Sequence, residues 1–286
     1  LLVLLISVGM LWKRLHRDQR LNPVEGPTIL QQELTGTEWN TISYTPARRL
    51  SVQTQADGTT AMDFRLAAQP ASEAVDRSWF SDVWFLGDSL TQGMQMYENG
   101  LPNAHFCAYK GVGPNAVVNG TTCKRSDGGT EVPMEVLTAR QPPVLYILLG
   151  TNTLTTLGAS DRFLAYYGQM LDLLRQALGD DCVIYVQSIP PVRPEAAAEK
   201  PGLASDVLRS VNEQLAQLAA QKGCVYLDLW EAMADGEGNL KEVLAAPDGV
   251  HFSAGNGYGA WVTYLRNHAK YASTNAWTLG SAYAAN

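Results

Sequence analysis

The chain has 286 residues, 46% of them hydrophobic, which suits one large α/β domain with additions better than two full domains. A formal net charge of −7 argues against a surface made to hold nucleic acid or anionic lipid. No internal repeat is present, and the longest biased run is Ala196–Ala198.

Leu1 to Trp12 is an unbroken, largely apolar run, followed by Lys13, Arg14, His16, Arg17 and Arg20. A membrane span needs about 20 apolar residues, and the chain opens on leucine. Residues 1–20 are therefore read as the end of a signal peptide or signal anchor with a basic flank, the alternative being a short buried helix. This places the catalytic part outside the cytoplasm, anchored or secreted. The basic flank, by the positive-inside rule, argues for the cytoplasm instead, and both readings stand.

Residues 21–78 read as a tether and a peripheral hairpin. Pro23, Gly26 and Pro27 mark the tether, and alternating apolar residues lie on either side of Asp57-Gly58 (Leu50, Val52, Thr54; Met62, Phe64, Leu66). From residue 79 to 286 the pattern becomes regular. Apolar strands are expected at Val83–Leu86, Ala104–Tyr109, Val144–Leu149, Val183–Gln187 and Val225–Leu229. Helices with a 3.6-residue period are expected over 163–178, 203–220 and 254–271. Strands alternating with helices imply a parallel sheet covered on both faces, with ligands bound at the carboxyl ends of the strands.

The strand ends carry matching chemistry. The first strand runs into Gly87-Asp88-Ser89, a glycine turn that presents a serine ahead of a helix. The second is followed by Gly111-Val112-Gly113-Pro114, the third by Gly150-Thr151-Asn152, and the fifth by Asp248-Gly249-Val250-His251. A serine needs a neighbouring base to become a good nucleophile, and a histidine mostly neutral near pH 7 supplies one. An aspartate three residues before that histidine can fix its tautomer. Backbone N–H groups and an amide side chain can hold an oxyanion. The combination points to acyl transfer, with Ser89, Asp248 and His251 as the reacting set and Ser89, Gly113 and Asn152 as oxyanion donors.

These four blocks, GDSLTQG, the Gly113 turn, GTN and DGVH in this order, resemble the SGNH (GDSL-type) hydrolase family over roughly residues 83–271. The resemblance implies a three-layer, flavodoxin-like α/β/α sandwich around a five-stranded parallel sheet. It also implies Ser89 as nucleophile, His251 as base, Asp248 as its partner, and Gly113 with Asn152 in the oxyanion hole. The second block departs from the pattern in many members, with Pro114 where a second glycine is common three residues after the first. Proline has no N–H to give, so Gly113 is preferred over Gly111.

No cofactor is expected. Asp248 and His251 could ligate a metal, but no third ligand cluster accompanies them. His105 and His268 are read as structural, Asp88 as orienting its turn, and Trp230, Met94, Met96 and Tyr97 as pocket-lining or core residues. If the domain is exported, the four cysteines are expected to pair as Cys107–Cys123 and Cys182–Cys224; in the cytosol they would be thiols. The expected substrate is a small acyl ester, acetyl on a carbohydrate or cell-envelope glycan. Lysophospholipase, thioesterase or O-acyltransferase activity with the same triad is the alternative, and an inactive glycan-binding module is the alternative of another class.

Overall fold

A computed structural model of the chain describes residues 53–54, 60–61, 68–69 and 71–269. The expected N-terminal signal anchor and most of the tether lie outside the described residues, as does the stretch after residue 269. Strands β1 (Gln53–Thr54) and β2 (Thr60–Ala61) pair antiparallel on either side of the Asp57-Gly58 stretch. Among the described residues no helix is long and apolar enough to cross a membrane.

The body is a five-stranded parallel sheet. Its strands are β3 (Val83–Gly87), β4 (His105–Ala108), β7 (Val144–Leu148), β8 (Val183–Gln187) and β9 (Val225–Leu227). Across the sheet they stand in the order β4-β3-β7-β8-β9, and every neighbouring pair is parallel. Three strands are shorter than the apolar runs suggested. The chain leaves β9 at Leu227, for example, because Asp228 begins the turn into a short helix, α7 (Trp230–Met233).

Side chains alternate between two buried faces, as a sheet covered on both sides demands. Leu86, Leu145, Ile147, Ile184 and Val186 belong to one core cluster, and Phe85, Tyr146, Leu148, Tyr185 and Leu227 to the other. Helices α4 (Ser160–Leu178) and α6 (Ser205–Gln221) close the first face. Phe163, Tyr167, Met170, Leu171, Leu174 and Leu178 form the buried stripe of α4, at the predicted period. Helices α1 (Ser89–Met96) and α8 (Asn256–Asn267) close the second with Leu90, Met94, Tyr258, Trp261 and Leu265. Three layers result.

Short elements escaped the periodicity. Helices α2 (Pro114–Val118), α3 (Pro133–Arg140) and α5 (Pro194–Glu199) each begin on a proline in the first turn, where its missing N–H is no loss. A two-residue ribbon, β5 (Cys123–Lys124) with β6 (Thr130–Glu131), turns around Asp127, Gly128 and Gly129. All four cysteines are buried free thiols, so the pairs expected for an exported domain are not formed. Burial raises Cys107 and Cys182 to about 12 and Cys224 to about 11, so these thiols are unreactive.

The strand order decides where the site falls. The chain starts at β3, adds β4 on one side, then crosses to β7 on the other. At this reversal the turns after β3 and β7 lie side by side and open a crevice.

Candidate active site

The turn after β3 is tight for a steric reason. A Cβ on Gly87 would lie 1.9 Å from Thr91 Oγ1 and 2.7 Å from the Leu148 carbonyl oxygen, so only glycine fits. Asp88 caps the helix that follows, its Oδ1 accepting from the Leu90 N–H at 3.0 Å. Ser89 is thus the first residue of α1, half-buried, with its backbone N–H at the positive end of the helix.

The loop before α8 brings in the histidine. Asp248 is exposed and its Oδ1 accepts from two backbone N–H groups, Val250 at 3.0 Å and His251 at 2.9 Å. Its Oδ2 lies 2.5 Å from His251 Nδ1, and His251 Nε2 lies 2.8 Å from Ser89 Oγ. Nδ1–H donating to the carboxylate leaves Nε2 free to accept from the serine hydroxyl. Burial alone would push the Asp248 carboxyl up. The hydrogen bonds from the His251 ring and from the two N–H groups outweigh it and hold the group below the ordinary carboxylate value. It is therefore ionised near neutral pH. Gly249 between them has φ +69°, and a Cβ there would meet Arg193 Cβ at 2.8 Å.

The amide and glycine sit opposite. Asn152 Nδ2 donates to Asp88 Oδ2 at 2.8 Å, and Thr151 Oγ1 donates to the same oxygen at 2.9 Å. One N–H of the Asn152 amide is thereby held and the other left for a ligand. Gly113 caps α2 without a side chain, packed so closely that a Cβ would stand 2.2 Å from Thr153 Oγ1 and 3.0 Å from Asn115 Oδ1. The backbone N–H groups of Ser89 and Gly113 make no hydrogen bond among the described residues. A buried N–H seldom goes unpaired, and Gly113 is buried whereas Gly111 is exposed with φ +79°.

Ser89, Gly113 and Asn152 therefore lie in the turns after β3, β4 and β7, whereas Asp248 and His251 come from the loop before α8, well beyond β9, and are joined to Ser89 by direct hydrogen bonds. Asp88 does more than orient its turn. It is 1% exposed, and burial raises its carboxyl to about 6 against the hydrogen bonds from Leu90, Thr151 and Asn152 and the charge of His251. Thr151 was missed. Its only sequence signal is its place beside Asn152.

Other residues fall outside. Met94 is in the core, Met96 and Tyr97 are exposed at the C-terminal end of α1, and Trp230 is half-buried against the core. His268 is buried with Nδ1 2.7 Å from the Tyr264 carbonyl oxygen. His105 stands exposed at the start of β4. Among the described residues no three His, Cys, Asp or Glu side chains converge so as to hold a metal ion.

The family model for the GDSL-like Lipase/Acylhydrolase family matches residues 85–259, which takes in Ser89, Gly113, Asn152, Asp248 and His251. Among solved structures the chain is similar to a GDSL-like lipase from Bacteroides thetaiotaomicron, at 18% identity over 70% of this chain and 88% of that one, with a TM-score of 0.50. It is similar to a proposed acylhydrolase from Bacteroides fragilis at 18% identity over 71% and 91%, with a TM-score of 0.51. At such identities the likeness is one of fold. No curated protein matches the chain. The family model spans well over half of the 286 residues, and the chain belongs to the GDSL-like lipase/acylhydrolase family.

Proposed function

We propose that this acylhydrolase removes a small acyl group, acetyl first among them, from a carbohydrate or cell-envelope glycan, with Ser89 as nucleophile. The observation that carries the chemistry is the unbroken line from Asp248 through His251 to Ser89, at 2.5 and 2.8 Å. In the first half-reaction Ser89 Oγ bonds to the acyl carbon while its proton passes to His251 Nε2. The carbonyl oxygen becomes an oxyanion facing the N–H groups of Ser89 and Gly113 and the free N–H of Asn152. Collapse breaks the bond to the alcohol oxygen, which takes the proton from His251. Water then repeats the sequence on the acyl-enzyme and releases the acid.

The openness of the rim supports a small acyl group on a bulky alcohol. The His251 side chain is 39% exposed and Asn152 is exposed. The side chains nearest to Gly113 are the polar Thr153 and Asn115. A long acyl chain needs buried apolar surface, at about 0.8 kcal/mol per buried methylene. A glycan chain needs an open approach.

Release of p-nitrophenol from acetyl, butyryl and octanoyl esters tests this, with wild type beside Ser89→Ala. The expected order is acetyl over butyryl over octanoyl, with activity lost in the variant. Activity unchanged in Ser89→Ala sinks the nucleophile assignment, and turnover confined to octanoyl ester sinks the small-acyl reading.

A further inference from the structure

We infer that the outer edge of the sheet carries a second ligand site, made for a saccharide unit bearing a carboxylate. A cavity of about 320 Å³ opens along β4, and neither Ser89 nor His251 is among the residues that line it. Trp84 and His105 are register partners on β3 and β4, and their rings stack with centroids 4.9 Å apart and planes 23° from parallel. Trp84 is half-buried against the core, whereas His105 is exposed on the edge strand. One face of the imidazole is therefore taken by the indole, and the other is open. A ring laid on that face would continue the stack across the position where a further strand would otherwise lie.

The remaining wall sets Gln95, Ser126, two guanidiniums (Arg125 and Arg140) and two carboxylates (Asp127 and Glu131) beside a smaller apolar part that includes Phe106 and Val136. Arg125 is already committed, Nη2 to Asp127 at 2.7 Å and Nη1 to Glu131 at 3.1 Å. Arg140 ends α3 and enters no ion pair among the described residues. The cavity thus offers one ring face, a polar surround of amide, hydroxyl, carboxylate and guanidinium groups, and one guanidinium, Arg140, in ion-pair contact with neither of the wall's carboxylates, Asp127 and Glu131. A pyranose has the complementary form, an apolar C–H face with hydroxyls around its rim. A plain aromatic ligand would use the ring face but bury the polar wall without partners, which is unfavourable. The spare guanidinium selects a carboxylate, which it can hold through two parallel hydrogen bonds.

This site does not depend on the reaction proposed for Ser89, and binding tests it directly. The protein is titrated with methyl β-D-glucuronide and methyl β-D-glucoside, following the His105 ring resonances by NMR, with p-nitrophenyl acetate hydrolysis measured alongside. The glucuronide should give a saturable shift, with affinity roughly tenfold above the glucoside, the scale of one charge-assisted contact. Arg140→Ala should remove that preference and Arg140→Lys should keep part of it. His105→Ala should lose binding by saturation transfer to the ligand, and acetate-ester hydrolysis should be unchanged in all three. Trp84 is left intact because it also packs against the core. No saturable response to either sugar overturns the site, and equal affinity for both in the wild type overturns the role of Arg140. Binding of benzoate more tightly than the glucuronide overturns the saccharide assignment.

Discussion

Replacing Asp88 by asparagine tests how the site is held together. The carboxylate accepts from the Leu90 N–H, the Thr151 hydroxyl and the Asn152 amide. An asparagine offers one oxygen where two were used. With its oxygen toward Leu90, its NH₂ faces the donors of Thr151 and Asn152; turned round, it faces the Leu90 N–H. Either way at least one buried donor is stranded, at about 1–3 kcal/mol. Against this stands the burial of the acid, which raises its pKa from the ordinary 3.8 to about 6 and corresponds to about 3 kcal/mol against the ionised form. The folded chain holds this proton more tightly than the open chain does. The group's favourable contribution is therefore complete below 3.8 and is lost as pH rises through about 6. At pH 4 the wild-type acid is itself protonated and, like the amide, sets one donor against the Thr151 or Leu90 donors, so the two proteins are nearly equal in stability. At pH 8 the variant escapes the cost of the buried charge and is the more stable by about 3 kcal/mol. Urea denaturation of both proteins across this range should show the stability difference changing by about 3 kcal/mol. The turnover number for acetate ester should fall roughly 10- to 100-fold at pH 8, less than the loss of a whole oxyanion donor, because Asn152 is misaimed rather than removed. Stability curves that run parallel from pH 4 to 8, together with unchanged turnover, would refute both the buried charge and the positioning role.

Two further substitutions probe the rest of the rim. Asp248→Asn should lower turnover roughly 100-fold while circular dichroism and stability stay near wild type, because the amide oxygen stays with the Val250 and His251 N–H groups and the NH₂ then faces Nδ1, favouring the wrong tautomer; the Asp248 side chain is 52% exposed, so water softens the loss relative to a buried partner. Gly113→Ala places a methyl group 2.2 Å from Thr153 Oγ1, and should cost about 1–3 kcal/mol of stability by overpacking and lower turnover at least tenfold. Adding Thr153→Ala should restore much of both in a double-mutant cycle, and activity untouched by Gly113→Ala would move the oxyanion donor to another N–H.

What could be read from the sequence follows the range of each interaction. Apolar runs that stop at glycine mark the strands because burial on both faces forces a continuous apolar stretch. A long helix such as Ser160–Leu178 repeats its stripe often enough to be seen. Helices of five to eight residues, at Pro114, Pro133 and Pro194, do not complete enough turns to show a period, and only the opening proline betrays them. Ser89 and Asn152 were legible because each follows a strand and carries a side chain that a plain turn does not need, and Asp248 with His251 because an acid stands three residues before a histidine just ahead of the last helix. The bond between Asp88 and Asn152 was not, since it joins residues 64 positions apart. It exists because β3 and β7 are neighbours in the sheet. Any strand order that separated them would leave Asp88 buried with only the Leu90 N–H to satisfy it, and its carboxylate would be far harder to ionise. Strand order therefore does two things at once. It sets the nucleophile beside its oxyanion donor, and it supplies the hydrogen bonds that let a buried acid next to that nucleophile carry charge at all.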